Sequence, residues 1–259
     1  MIFKAKLLKK PNVIRDYFST QSLKYSQHRP IYPEKLFRYL LSECKDRKLA
    51  WDAGTGNGQA AKKLSIYFDQ VYATDISNSQ ILNSFPESNI NYGVANEQVP
   101  LLKKSSVDLI TVAQSLHWFD TKIFYSEAKR LLKRYGLIAC WCYSGFSIDE
   151  RLNREINWFY SVFLKGFWPP EIRLVETGYR SLSFPFRELR VPKFEIKLFW
   201  NFKNVLGYMS TWSAVVNFKK REGFDPISKN LERLKLAWGN LEENKEVKWY
   251  ISLRAGHLL

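Results

Sequence analysis

The sequence predicts an α/β fold, a mostly parallel sheet covered by helices on both faces. Three observations lead there. Short apolar runs alternate with helix-period segments from Pro33 to Tyr143, a glycine-rich turn follows the first run, and an acidic residue closes the second. Buried strands separated by helices need crossover connections, and crossovers produce parallel neighbours with both faces covered.

The elements follow in order. Residues 1–32 read as a lead-in segment, and 33–143 as the repeating strand–helix half. Pro33 opens a helix to Cys44, with Leu36, Phe37, Leu40 and Leu41 at helical spacing. Leu49–Ala53 is a buried strand ending in glycines, Ala60–Phe68 a helix, Gln70–Thr74 a second strand and Asn78–Phe85 a short helix. Ile90–Val94 and Val107–Ala113 make strands three and four, Thr121–Lys133 a helix, and Leu137–Tyr143 strand five after the turn at Tyr135-Gly136. Residues 144–259 change texture and hold six of the nine tryptophans. Asp149–Phe163 reads as a helix broken by Trp168-Pro169-Pro170, Phe194–Phe202 and Val247–Leu253 as final strands, and Val205–Val216 with Pro226–Trp238 as helices between them. This aromatic-rich helical insertion, about 203–240, suits either a lid over a pocket or a second hydrophobic layer.

Composition narrows the class. Hydrophobic residues make up 46% and charged ones 25%, which excludes a disordered chain. No apolar run reaches the roughly 18 residues that span a bilayer, and Met1–Pro11 has four lysines but no signal-peptide core. The cysteines Cys44, Cys140 and Cys142 are an odd count, and the three histidines are scattered. No disulfide framework and no metal site is therefore expected, and the chain reads as cytoplasmic. Cys140 and Cys142, in an apolar run that reads as a strand, are expected to face opposite sides of it. A net charge of +15 draws anions, whether nucleic acid, acidic lipid or an acidic small molecule, yet the basic residues form no long run.

The most informative stretch is Trp51-Asp52-Ala53-Gly54-Thr55-Gly56-Asn57-Gly58. Glycines between a strand and its helix turn the chain sharply and let a ligand approach bare backbone. The helix start that follows offers amides to a negative group. Strand two closes on Asp75, about 20 residues after the first glycine, where a carboxylate accepts hydrogen bonds from ribose hydroxyls. Together these describe a nucleoside site. The nicotinamide pattern would put its third glycine at position 59, which is Gln59.

Residues 25–143 resemble the class I S-adenosylmethionine-dependent methyltransferases, closest to the small-molecule subgroup of trans-aconitate methyltransferase-like and plant embryo-abundant-protein-like members. The similarity rests on Tyr25-Ser26-Gln27-His28-Arg29-Pro30-Ile31-Tyr32-Pro33, on Asp52–Gly58, on Ser106–Asp120 with its Gln114-Ser115-Leu116-His117-Trp118-Phe119 exit, and on Glu127–Lys133 before Gly136. Thr211-Trp212-Ser213-Ala214 extends it toward the end of the chain. The resemblance implies a Rossmann-like methyltransferase fold with a seven-stranded sheet, S-adenosyl-L-methionine as cofactor and S-adenosyl-L-homocysteine as product. It also implies cofactor contacts at Tyr25, Arg29, Asp52, Gly54, Thr55, Gly56, Asp75, Ile76, Ala95, Asn96 and Gln114. Relatives often carry Glu where this chain has Asn96, which marks a departure.

Methyl transfer from a sulfonium is an in-line displacement, so positioning does most of the work and a base is needed only for an acceptor that must lose a proton. His117, just past strand four, is the candidate catalytic residue, and His117, Trp118 and Trp212 are the expected acceptor pocket. The same aromatic residues would look alike as core packing. The leading expectation is a small, anionic methyl acceptor, with O-methylation of a carboxylic acid in view. RNA or protein methylation is kept open by the charge, though no Asn-Pro-Pro-Tyr motif follows strand four, and so is an inactive binder of the same fold. The sequence leaves the oligomeric state open.

Overall fold

The computed structural model describes residues 3–4, 29–99 and 101–258, so Tyr25 and most of the lead-in lie outside the described residues. Among the described residues the strands are β1 (Phe3–Lys4), β2 (Leu49–Ala53), β3 (Gln70–Asp75), β4 (Ile90–Val94), β5 (Val107–Ala113), β6 (Leu132–Tyr143), β7 (Arg187–Glu188), β8 (Phe194–Trp200) and β9 (Lys245–His257). They form one sheet in the order β1-β4-β3-β2-β5-β6-β9-β7, with β8 also paired to β9. Pairings from β1 through β6 are parallel, and those of β9 with β6, β7 and β8 are antiparallel. The seven expected strands are β2–β6, β8 and β9. The two-residue strands β1 and β7 extend the sheet and are too short to leave a pattern.

The helices are α1 (Glu34–Glu43), α2 (Gln59–Ser65), α3 (Asn78–Leu82), α4 (Thr121–Leu131), α5 (Glu150–Trp158), α6 (Ile172–Glu176), α7 (Phe202–Ser210), α8 (Ser213–Glu222), α9 (Pro226–Lys229) and α10 (Leu231–Trp238). Several starts are fixed by capping side chains. Ser77 accepts from the Gln80 amide, Asp120 from Lys122 and Ile123, Asp149 from Leu152, and Asn201 and Asn204 form a reciprocal pair. The expected helix 149–163 divides, because Phe159–Phe163 forms a π turn. The expected helix over 205–216 also divides, since Trp212 has an extended backbone between α7 and α8.

Two buried clusters cover the two faces of the sheet. Along β6, Leu137, Ala139, Trp141 and Tyr143 join the cluster with α1, α2 and the C-terminal helices. Ile138, Cys140 and Cys142 join the cluster with Phe124 and Leu131 of α4. Cys140 and Cys142 therefore share a face, because residues two apart on a strand project the same way. All three cysteines are free thiols.

No helix among the described residues is long and apolar enough to cross a membrane.

From β2 the chain runs to β3 and β4 on one side and returns to β5 on the other. The order reverses between β2 and β5, and their carboxyl ends part to leave a crevice where such sheets bind ligands.

Candidate functional site

That crevice is a cleft of about 210 Å³. Its floor is the turn after β2. Gly54 and Gly56 have φ of 65° and 57°, left-handed values that strain any residue bearing a side chain. A Cβ on Gly54 would stand 2.5 Å from Ser115 Oγ, whereas a Cβ on Gly56 would meet nothing nearer than Gln80 Oε1 at 4.0 Å. Gly54 is thus demanded by packing, and Gly56 presents bare backbone to the open cleft.

Asp75 closes β3 at the cleft edge. Its Oδ2 accepts from the Gly56 amide at 2.8 Å and its Oδ1 from the Ser77 amide at 2.9 Å. The carboxylate therefore ties the turn after β2 to the turn after β3. Beside it, Ile76 is exposed on the cleft wall, an apolar face next to a carboxylate. Ala95 and Asn96 complete that wall, and Ala95 is held by its amide to the Asp75 carbonyl at 3.0 Å.

Asp52 sits one layer down. It is fully buried and accepts from Thr55 Oγ1 at 2.5 Å and Thr111 Oγ1 at 2.6 Å. Burial pushes its carboxyl up to about 6, against the hydroxyl bonds that pull it down. It braces the glycine turn from below and is not among the residues lining the cleft.

On the far side, Gln114 has φ of 58°, donates its amide to the Trp141 carbonyl at 2.9 Å and sends Nε2 to the Tyr143 carbonyl at 2.9 Å. It leads into a second pocket of about 100 Å³ whose lining shares Arg29, Gln114, Trp118 and Tyr143 with the cleft. His117 and Trp212 line this second pocket, with Trp118 at the junction. Trp212 is held by edge and tilted contacts to Tyr160, Trp168 and Tyr208. Arg29 places its guanidinium 5.3 Å from the Tyr208 ring centre and donates Nη2 to the Thr211 carbonyl at 3.4 Å. His117 is half-buried, and its Nδ1 lies 3.0 Å from the Tyr179 hydroxyl. Burial and the nearby Arg29 push His117 down to about 3, so its ring is neutral.

Sequence reasoning missed several of these residues. Glu97, one place beyond Asn96, lines the cleft and accepts the Asp120 amide on Oε1 at 3.2 Å, so a glutamate stands at this wall, shifted by one residue from the position expected. Gln80 became visible only through the fold, because it lies one helical turn past Asp75. Tyr179, fully buried behind His117, left no pattern at all. Among the described residues no cluster suited to a metal ion occurs.

Comparison with known proteins decides the family. A methyltransferase-domain family model matches residues 51–140. A candidate methyltransferase of Dictyostelium discoideum is 30% identical over 232 residues, covering 88% of each chain. A solved structure of a candidate type II methyltransferase from Anaeromyxobacter dehalogenans is 38% identical with a TM-score of 0.83, covering 89% of this chain and 98% of that one. The chain belongs to the S-adenosylmethionine-dependent methyltransferases. A candidate S-adenosylmethionine-dependent methyltransferase of Saccharomyces cerevisiae matches at 26% over 132 residues, 48% of this chain and 45% of that one.

The cleft of this methyltransferase suits its cofactor on its own geometry. Gly56 leaves free the volume a Cβ would fill, Asp75 is pinned at the rim, and the buried Gln80 Oε1 beside the floor has no hydrogen-bond partner among the described residues. A buried acceptor without a donor costs about 1–3 kcal/mol, and hydroxyl or amino groups of a nucleoside would satisfy it.

Proposed function

We propose that this methyltransferase transfers the methyl group to a carboxylate oxygen of a small anionic molecule, in keeping with the small-molecule subgroup its motifs resemble. The observation that carries the reading is the second pocket. It has Arg29 at its junction with the cleft, the neutral His117 in its wall and, among the described residues, no Asp or Glu in its lining. A protonated amine would find no counter-charge there, whereas an anion meets a guanidinium. The aromatic walls lower the local dielectric constant, which strengthens that attraction.

In this reading Asp75 holds the ribose by accepting from its hydroxyls. Gly54, Thr55 and Gly56 give backbone to the methionine portion, which Arg29 and Gln114 flank. Ile76, Ala95 and Asn96 border the adenine, and Asp52 acts indirectly by bracing the turn. Residues 33–143 form the cofactor half and 144–259 the acceptor side, where Tyr208, Thr211 and Trp212 come from the helical region about 203–240. Bound S-adenosylmethionine supplies a methyl group on a sulfonium, already activated for displacement. The chain's own task is to hold the acceptor oxygen in line, which substitutes for a catalytic base when the acceptor is already ionised.

Incubation with methyl-labelled cofactor and a panel of small carboxylic acids, phenols and amines tests this. Label should enter a carboxylic acid as an ester that mild alkali cleaves to labelled methanol. Transfer confined to phenols or amines, stable to alkali, would remove the carboxylate from the proposal.

A further inference from the structure

Among the described residues His117 is the one imidazole lining the second pocket, and the residue behind it decides what that ring can do. Tyr179 is fully buried and lies three residues past the end of α6, with φ of 62°. Its hydroxyl stands 3.0 Å from His117 Nδ1 and the two rings stack with centres 6.1 Å apart. Burial raises the phenol far above its ordinary range, so the hydroxyl keeps its proton. A buried O–H needs an acceptor. Two are at hand: the lone pair of Nδ1, and the sulfur of Cys142, whose own thiol points to the Val175 carbonyl at 3.6 Å. Sulfur is a weak acceptor and an imidazole nitrogen a strong one. Of the two, Nδ1 is the better acceptor for a hydroxyl that keeps its own proton.

A neutral imidazole carries a single N–H, and the nitrogen that accepts from Tyr179 is not the one that bears it. We propose that the Tyr179 hydroxyl locks His117 as the tautomer protonated on Nε2, so that His117 donates a hydrogen bond to the acceptor oxygen and takes no proton from it. His117 is then a catalytic residue as a donor, and Tyr179 a positioning residue that acts through it. The inference rests on the methyltransferase reading of the site and deepens its carboxylate proposal. The carboxylate oxygen forms the new bond to the methyl carbon, the carbon–sulfur electron pair stays on sulfur, and no proton leaves. A phenol or protonated amine would have to surrender a proton, and Nε2–H cannot receive it.

The test has a readout that does not depend on turnover. In protein labelled with ¹⁵N-histidine, two-bond proton–nitrogen correlations report which ring nitrogen of His117 carries hydrogen, the resonance being assigned by its loss in His117→Gln. The expected result is the Nε2–H tautomer in the unsubstituted protein and a mixture of both tautomers in Tyr179→Phe, which removes one oxygen and keeps the buried ring. With a free carboxylic acid that accepts the methyl group as substrate, His117→Ala should lower kcat/KM by about 10- to 150-fold, the range of one hydrogen bond to a charged group. His117→Gln, whose amide donates but is no base, should recover most of that loss. Tyr179→Phe should raise the acceptor KM with cofactor affinity unchanged.

An Nδ1–H tautomer in the unsubstituted protein would overturn the inference, as would His117→Gln being as slow as His117→Ala. The Nε2–H tautomer combined with transfer to phenols or amines alone would uphold the Tyr179 lock and overturn the carboxylate reading, so the two fail separately.

Discussion

Replacing Asp75 by Asn removes one charge and one acceptor oxygen while keeping the size of the side chain. In the structure each carboxylate oxygen already serves the protein, Oδ2 through the Gly56 amide and Oδ1 through the Ser77 amide. Asparagine can keep one of these with its carbonyl, but its NH₂ group must face the other amide donor. The variant therefore loses a hydrogen bond that organises the turn and the charge that strengthens those to the ribose. Hydrogen bonds to charged groups contribute about 1.5–3 kcal/mol, so affinity for S-adenosylhomocysteine should fall about 10- to 150-fold. Titration calorimetry reads the affinity directly, and a urea midpoint on the same samples reports whether the turn has loosened. Unchanged affinity, with the fold intact, would refute the assignment of Asp75 to the ribose. A loss of affinity matched by general unfolding would show that Asp75 serves the turn alone.

Two further substitutions separate packing from binding. Gly56→Ala must hold φ of 57°, a cost of roughly 1–2 kcal/mol in stability, yet its methyl meets only open cleft. Cofactor affinity should drop more than tenfold, and binding at full strength would show that the backbone there is not a contact surface. Gly54→Ala, by contrast, collides with Ser115 Oγ and should show its damage first in the unfolding midpoint. The pH dependence of stability tests Asp52. Its carboxyl is raised from an ordinary 3.8 to about 6 in the fold, so the folded state binds the proton more tightly than the unfolded one. Its contribution to stability is fully present below 3.8 and is lost as the pH rises through about 6. Urea midpoints of wild type and Asp52→Asn should therefore diverge across that window, with the wild type losing ground as the pH climbs. Parallel curves would show that burial does not govern this carboxyl.

The cofactor half was legible because its chemistry is written into backbone requirements. Gly54 and Gly56 occupy left-handed φ, and Asp75 ends the strand beside theirs. Those demands leave residue-type signals at fixed spacing. Reading stopped where side chains act through a neighbour. Asp52 belongs to the motif, yet only the structure shows it beneath the turn, bonded to Thr55 and to Thr111 from a strand 59 residues away. Glu97 was missed by one residue because register along an irregular loop after β4 carries no period. Strand ends erred for a similar reason: β9 runs on to His257 because β6 and β7 pair with its last residues, a tertiary cause that no local pattern reports.

The proposed acceptor side is harder to read because the aromatic side chains that line its pocket are the same ones that pack the core. Trp212, Trp168, Tyr160 and Tyr208 face the pocket and also pack on one another, so burial alone accounts for their presence. What distinguishes pocket from core is the polar inventory set among those rings, Arg29 at the junction and a histidine whose inner nitrogen is taken by a buried phenol. Arg29 precedes α1, His117 follows β5, Tyr179 follows α6 and Thr211 follows α7. Three separate crossings of the chain thus meet around one small volume, with Tyr179 packed behind His117. In the proposed reading, specificity for the acceptor is a property of that meeting, and a change in any one connecting segment retunes it while the cofactor turn stays as it is.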